Sequence, residues 1–246
     1  MKSISEYRTS TLEEEVSSEL SFEDLHVVVL GTGDGDGTFA GLMEEVTIKR
    51  NIKYDFVDVR QAWIAGSDIE IGSVKIRNID GKGKDAEVQT HDSIVFVRAG
   101  AIETLSSQSM VSSLQDIGFL VVNDLDSMLV CDNKMSNALM MERNNIPIPR
   151  TSIISNEKSI EDAHKRIGGK FPVIVKTLKG TQGVGVMKID SMSSLTGVCQ
   201  GLWKYEADLL LQEYKEMKSD IRTLVIGGKI LALSLIHISE PTRLGF

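Results

Sequence analysis

The 246-residue sequence is poor in cysteine, with only Cys131 and Cys199, and contains four histidines. The two cysteines are far apart and match no metal-ligand spacing, so we predict buried free thiols in a reducing, cytoplasmic compartment. No apolar run reaches the roughly 18–20 residues needed to span a bilayer. The amino terminus also lacks the basic and apolar segments of a secretory signal. We therefore expect no membrane partner.

Positive charge is also scarce, with 27 Lys and Arg residues against 35 Asp and Glu residues and a net charge of −8. This balance argues against a broad nucleic-acid-binding face, so we expect no direct nucleic-acid partner. No Ser/His/Asp or Cys/His arrangement suited to nucleophilic catalysis is evident, and we assign neither a catalytic side chain nor a metal ligand. The length accommodates two or three modest domains.

The most informative stretch is Phe171–Val186, with the sequence FPVIVKTLKGTQGVGV. Its apolar run predicts a buried strand that ends on Lys176 and is followed by a glycine-spaced loop, Gly180–Gly185. A lysine supplies a compact cation, and glycines let backbone N–H groups approach phosphate oxygens closely. Because the spacing is not that of a Walker loop, a hairpin with a flexible tip and an edge lysine stays open as the alternative.

Downstream, a second apolar strand ends in Gln212-Glu213-Tyr214, and Asp220 opens a further strand. Together the two stretches resemble the ATP-grasp superfamily, and within it they look most like the RimK-type glutamate ligases that modify the carboxyl terminus of a ribosomal protein. The resemblance runs from about Asp92 to Leu233.

The resemblance implies a role for each matching residue. Lys176 would reach the α- and β-phosphates, Glu213 and Tyr214 would form the adenine hinge, and Asp220 would hold the ribose. Lys134, in Asp132-Asn133-Lys134, would point at the phosphates, although spacing alone predicts a solvated helix residue. The loop residues that would fold over the triphosphate are Gly180, Thr181, Gln182, Gly183 and Gly185.

Two arginines are weaker candidates for substrate binding. Arg98 follows the predicted strand Ser93–Val97, where it could clamp a substrate carboxylate or form a surface ion pair, and both interpretations stay open. Arg222 lies in the strand that Asp220 opens.

The implied reaction is ATP-dependent carboxylate–amine ligation through an acyl phosphate, with Mg²⁺ bridging the β- and γ-phosphates. The implied partners are ATP, a glutamate-like amino acid and a protein or peptide acceptor such as a ribosomal protein. A carrier protein or a small amino acid stays open as the acceptor, and a homo-oligomer is compatible with the resemblance. One alternative is a nucleotide-binding regulatory protein that has lost catalysis. Another is an oxidoreductase using the Gly31–Gly37 turn, although its glycine register departs from the dinucleotide fingerprint.

The predicted fold class is α/β, an ATP-grasp fold with an N-terminal doubly wound pre-ATP-grasp domain and an incomplete carboxy-terminal lobe. The metal ligands of the family are expected in that missing lobe, and the final SLIHISEPTRLGF resembles translated adapter sequence. We therefore expect an interrupted reading frame, or else a natural short homologue, with little ligase activity. The predicted segments are a leader at 1–22, the pre-ATP-grasp domain at 23–123, the lid lobe at 124–207, the start of a second lobe at 208–233 and an atypical tail at 234–246.

Several local features are also predicted. Apolar spacing predicts a single amphipathic helix over Asn123–Asn145, with Asp124 or Asp126 as its N-cap. Gly168-Gly169 is predicted to end a helix over Ser159–Ile167. The strands within Asp208–Ile236 are expected to expose edges and apolar faces.

Overall fold

The computed structural model describes residues 24–33, 38–78, 85–178, 185–217 and 219–237. The chain divides into two compact units, Met1–Asp132 and Asn133–Phe246. The predicted leader, residues 180–183 of the glycine loop and the tail beyond residue 237 lie outside the described residues.

The first unit contains a four-stranded parallel sheet in the order β2-β1-β7-β8 and a smaller antiparallel group of strands. Strand β1 is buried along its whole length, as expected for a strand covered on both faces. The elements are β1 (His26–Gly31), α1 (Thr38–Lys49), β2 (Lys53–Asp58), β3 (Ala62–Trp63), β4 (Ile69–Glu70), β5 (Ser73–Asn78), β6 (Ala86–Gln89), β7 (Ser93–Val97), α2 (Leu105–Ile117), β8 (Leu120–Val122) and α3 (Leu125–Asp132).

The turn after β1 has a packing explanation for its first glycine. A Cβ on Gly31 would lie 2.9 Å from the ring of Phe56 on the neighbouring strand. The backbone N–H of Gly33 donates to Asp58 Oδ2 at 3.2 Å. These contacts account for the described part of the turn without a dinucleotide, and residues 34–37 lie outside the described residues.

The second unit contains a four-stranded antiparallel sheet in the order β11-β10-β12-β9 and a separate two-stranded hairpin. One face of the sheet packs on the helices around a core that includes Val173, Val175, Leu195 and Leu211. The elements are α4 (Lys134–Arg143), β9 (Thr151–Ile154), α5 (Glu157–Arg166), β10 (Val173–Thr177), β11 (Val186–Ile189), α6 (Met192–Trp203), β12 (Leu209–Glu213), β13 (Ser219–Ile226) and β14 (Lys229–His237).

The prediction of one continuous helix over Asn123–Asn145 is wrong. Helices α3 and α4 are separated at Asn133, whose backbone is extended and whose side chain accepts hydrogen bonds from the N–H groups of Met135 and Ser136. A side chain that satisfies the first N–H groups of a helix favours a new start at that point. Asp124 caps the first helix as predicted, because its Oδ1 accepts from the Ser127 N–H at 2.9 Å.

Two further expectations need correction. Cys199 is buried, but Cys131 is exposed. Strands β10 and β11 do pair as antiparallel neighbours, but β10 also pairs with β12. Lys176 therefore lies on an interior strand and not on an edge.

The β13–β14 hairpin turns at Gly227-Gly228, both with positive φ. Its apolar side chains are exposed as expected, including Ile221, Leu224 and Ile230. The same expectation is wrong for β12, where Leu209, Leu210 and Leu211 are buried. Among the described residues, no helix has the length and apolar character needed to cross a membrane.

Candidate nucleotide site

Lys176 lies near the carboxyl end of β10, on the sheet face opposite the helices. Its ammonium Nζ donates to Gln212 Oε1 at 2.7 Å. The amide nitrogen of Gln212 donates to Thr151 Oγ1 at 2.8 Å, and the Thr151 hydroxyl donates to the Pro149 carbonyl at 2.8 Å. This relay fixes the orientation of the amide, because its nitrogen is already engaged. The described partner of the lysine is therefore a neutral oxygen.

Lys134 is the first residue of α4, and both its backbone N and its side-chain Nζ donate to the Leu178 carbonyl, at 3.3 and 3.4 Å. Leu178 is the last described residue before the glycine loop. Its own N–H donates to the Asp208 carbonyl at 2.9 Å. Lys134 is thus tied to the base of the glycine loop, which follows the strand that carries Lys176.

Gly185 is the last residue of the glycine loop and the one residue of it that the structure describes. It has a φ of +76°, and a Cβ there would lie 2.6 Å from Thr177 Oγ1. The Thr177 N–H donates to the Gly185 carbonyl at 3.1 Å. Only glycine adopts this positive φ and allows this close approach of Thr177 without strain. Gly180, Thr181, Gln182 and Gly183, predicted to cover a triphosphate, fall outside the described residues.

The electrostatics at Lys176 favour an anion. Burial lowers the pKa of the Lys176 ammonium, and the positive charge of Lys134 lowers it further. No carboxylate of the described residues forms an ion pair with Lys176. Two cations close together, one of them bonded to a neutral amide, provide an attractive site for phosphate oxygens.

Glu213 ends β12 and is held firmly by Arg150. The Arg150 backbone N–H donates to Glu213 Oε1 at 2.9 Å, and its guanidinium Nε and Nη2 donate to Oε2 at 3.0 and 2.7 Å. Lys215 Nζ lies 3.2 Å from Oε1. Hydrogen bonding by Arg150 is the main reason why the pKa of Glu213 falls to about 2.

Tyr214 follows Glu213 and lies on the opposite face of the sheet. The ammonium of Lys188 lies over the Tyr214 ring, 4.5 Å from the ring centroid. Lys188 pairs with Ile174 in the register, and therefore shares the face of Lys176. Tyr214 is 36% exposed, so part of its ring is accessible.

The two ends of the site are separated along β10. Lys176 is opposite Leu210, whereas Val173 is opposite Glu213. Three register positions correspond to about 10 Å between backbones along a strand. The Lys176 side chain covers part of this distance, because its ammonium reaches Gln212, which is opposite Ile174. The arrangement suits a ligand with its anionic end at Lys176 and Lys134 and a flat apolar end at Tyr214.

The remaining predicted residues are less closely associated with these groups. Asp220 and Arg222 are exposed on β13, paired with Ile236 and Ser234 in the hairpin. The described contacts do not bring them to Lys176. Arg98 belongs to the first unit, where its guanidinium lies 4.3 Å from the centroid of Phe39. Its two interpretations, a substrate clamp and a surface ion pair, both stay predictions.

Sequence reasoning missed Gln212, Thr151, Arg150 and Lys188 as members of the site. Alternation along a strand predicts which residues share one face, but it does not predict which strand is the neighbour. Arg150 had a weak signal, since it follows Pro147 and Pro149, which would end a helix, and precedes the short run Thr151–Ile154, whose composition favours a strand.

The resemblance implies Mg²⁺, but the described residues of the site do not provide a set of ligands that fits it. Among the described residues, no group of three or more His, Cys, Asp or Glu side chains could hold a metal ion.

The chain is similar in sequence to known proteins. Residues 131–238 match the model of the RimK-like ATP-grasp domain. A protein of Methanococcoides burtonii named a probable alpha-L-glutamate ligase is 33% identical over 151 residues, covering 61% of this chain and 50% of that protein. A protein of Vibrio vulnificus with the same name is 29% identical over 185 residues, covering 74% and 58%. The chain thus spans little more than half the length of these relatives.

A solved structure gives the same architecture. The RimK domain ATP-grasp protein of Sphaerobacter thermophilus superposes with a TM-score of 0.63 at 18% identity, covering 85% of this chain and 72% of that one. At this identity the likeness shows the fold alone, a mixed α/β fold of the ATP-grasp type.

Proposed function

We propose that this chain, whose residues 131–238 match the model of the RimK-like ATP-grasp domain, is an ATP-dependent carboxylate–amine ligase. Such an enzyme activates a carboxylate with the γ-phosphoryl group of ATP and passes the acyl group to an amine. The protein contributes mainly positioning and charge neutralisation in phosphoryl transfer.

The observation that supports the proposal most strongly is the pairing of Lys176 with Lys134 at the base of the glycine loop. The Lys134 amine donates to the Leu178 carbonyl, whereas the described partner of the Lys176 amine is an uncharged amide, that of Gln212. A triphosphate would replace the amide as the partner of Lys176 and would offset the repulsion between the two cations. The backbone near Gly185 would add N–H donors there, as glycine-rich loops do.

The base would lie at the other end of the strand. The described ladder of β12 ends at Glu213, and the chain then continues through Tyr214 with its ring on the Lys176 face. Backbone groups that leave a ladder at this point would bond the edge of adenine, and the Tyr214 ring would cover its face. Asp220 as the ribose ligand, and Arg98 and Arg222 as substrate ligands, belong to the same proposal.

For the substrates, we propose glutamate or a similar amino acid together with a protein or peptide acceptor in the cytoplasm. The names of the curated relatives favour glutamate. The resemblance to enzymes that modify a ribosomal protein favours a protein tail as the acceptor. Mg²⁺ would offset phosphate charge in the complete site.

Calorimetric titration of the 246-residue chain with ATP tests the proposal. Lys176→Met is expected to weaken ATP binding by about tenfold or more, because it removes a charged hydrogen-bond donor. Lys165→Met serves as the control, since Lys165 is exposed on α5 and is paired with Glu161.

Three outcomes are informative. Equal affinity of the Lys176→Met variant and the parent for ATP would contradict the proposed site. Binding of NADH in place of ATP would favour the oxidoreductase alternative. ATP binding without turnover by the intact gene product, when Mg²⁺, glutamate and a peptide are supplied, would favour a regulatory nucleotide-binding protein.

A further inference from the structure

Arg150 precedes β9 and contacts the end of β12 through both its backbone and its side chain. The Arg150 N–H donates to the Glu213 carboxylate, and the Glu213 N–H donates to the Arg150 carbonyl at 2.9 Å. The guanidinium adds two hydrogen bonds to Oε2 of the same carboxylate. Four hydrogen bonds therefore join one residue to the last residue of the strand before the proposed hinge.

The carboxylate of Glu213 lies on the face that does not carry the lysines. Glu213 is paired with Val173, a residue with 0% exposure in the core beneath the helices. The neighbours of Glu213 along the chain, Gln212 and Tyr214, contact Lys176 and Lys188 on the other face. A ligand on the lysine face would therefore meet the ring of Tyr214, while the Glu213 carboxylate is engaged behind it.

The guanidinium is confined from its other side by the end of α5. A Cβ placed on Gly168 would lie 2.4 Å from Arg150 Nη2, so the guanidinium packs directly against that glycine. Gly168 has a φ of +116° and follows the final turn of the helix. The arginine is thus held between the helix terminus and the carboxylate, whose side chain is 12% exposed.

We infer that Arg150 is a positioning residue for nucleotide recognition, which acts through Glu213 to hold Tyr214 and the adjoining backbone in place for the base. The inference rests on the proposed function and deepens it, because it assigns recognition of the base and recognition of the phosphates to different residues. Arg150 supports the base end only. The phosphate end depends on Lys134 and on Lys176, whose backbone is three register positions away on β10.

This separation makes the role measurable with two ligands, ATP and inorganic tripolyphosphate, each titrated into the full chain by calorimetry. Arg150→Ala is expected to weaken ATP binding about tenfold, because it removes charge-assisted hydrogen bonds behind the hinge. Tripolyphosphate lacks a base, so its affinity is expected to stay within about twofold. The ratio of the two affinities is a readout that general loosening of the fold would not change.

Arg166→Ala is the matched control, because Arg166 is an exposed arginine of α5 in an i,i+4 pair with Asp162. It is expected to leave both affinities unchanged. If Arg150→Ala does not fold, Glu213→Gln takes its place, since it keeps the side-chain shape and removes the charge. Its expected effect is a loss of about threefold for ATP alone.

The outcomes separate the inference from the function on which it rests. A selective loss of ATP affinity supports the inference. An equal loss for both ligands, or no loss for either, overturns it while leaving the proposed triphosphate site intact. Failure of the parent chain to bind either ATP or tripolyphosphate overturns both.

Discussion

The ammonium of Lys176 and the amide oxygen of Gln212 are 2.7 Å apart, although the two residues are separated by 36 positions in the chain. Antiparallel pairing of β10 with β12 places them on one face. The amide cannot neutralise the lysine, as a carboxylate would. The contact therefore orients the ammonium and leaves its charge for a ligand.

Gln212→Glu is expected to weaken binding of tripolyphosphate and ATP by about tenfold or more, because a carboxylate near 2.7 Å would pair with Lys176 and repel phosphate. Calorimetric titration measures both affinities. Gln89→Glu, on the exposed side of β6, introduces the same charge in the first unit and should change neither affinity. Unaltered tripolyphosphate binding by Gln212→Glu would mean that Lys176 does not hold the phosphates.

The pH dependence of tripolyphosphate binding should reflect the lowered pKa of Lys176, which follows from burial and from the charge of Lys134. Affinity should decline as the pH rises, and it should begin to do so below the usual lysine value of about 10.4. Lys134→Met removes one of the two causes, so the decline should move to higher pH. Titrations between about pH 7 and pH 10 test this, and identical midpoints in both proteins would contradict it.

Asn133→Ala should cost about 1 kcal/mol of unfolding free energy, because the Asn133 side chain caps α4. It should also weaken tripolyphosphate binding, since Lys134 is the next residue and depends on that helix start. Asn133→Asp keeps the capping oxygen and should retain most of the stability. A stability loss with unchanged tripolyphosphate affinity would show that the cap does not position Lys134.

Gly168→Ala should destabilise the second unit by about 1–3 kcal/mol, because the residue adopts a positive φ and the added Cβ would meet Arg150. Gly197→Ala is the matched control within α6, where a Cβ would meet nothing within 4 Å. That change should raise stability by up to about 1 kcal/mol, because alanine favours a helix. Urea unfolding distinguishes the two, and equal effects would argue against a tight contact at Gly168.

Acid should remove the contribution of Glu213 to stability. Its pKa lies near 2 instead of 4.5, so the carboxylate stabilises the fold above about pH 4.5 and loses this effect as the pH falls toward 2. The stability difference between the parent and Glu213→Gln should therefore be largest at neutral pH and shrink through this window. Fluorescence of Trp203, in a Trp63→Phe background, reports on the second unit, and a constant difference would contradict the prediction.

The local features of the fold could be predicted because each depends on a few neighbouring residues. Asp124 caps α3, and Gly168-Gly169 ends α5, as the patterns indicate. The break at Asn133 was missed because the apolar spacing on its two sides suits one helix. The capping side chain of Asn133 favours two helices over one continuous helix.

The candidate site was only partly predictable for a different reason. The lysine strand, Glu213 and Tyr214 are visible in the sequence, and the strand that ends at Glu213, just before Tyr214, is indeed the neighbour of the lysine strand. Which side chain bonds Lys176, and which holds Glu213, depends on strand order and register. These arise from packing over the whole sheet, so no local pattern identifies Gln212 or Arg150 as partners.

Strand β10 pairs on both sides, so the backbone of Lys176 cannot slide along its axis without breaking two ladders at once. Lys134 begins α4, and its side-chain amine donates to the Leu178 carbonyl, two residues after Lys176. The two cations therefore stand on different elements, and a change in the position of α4 relative to β10 would change the distance between them.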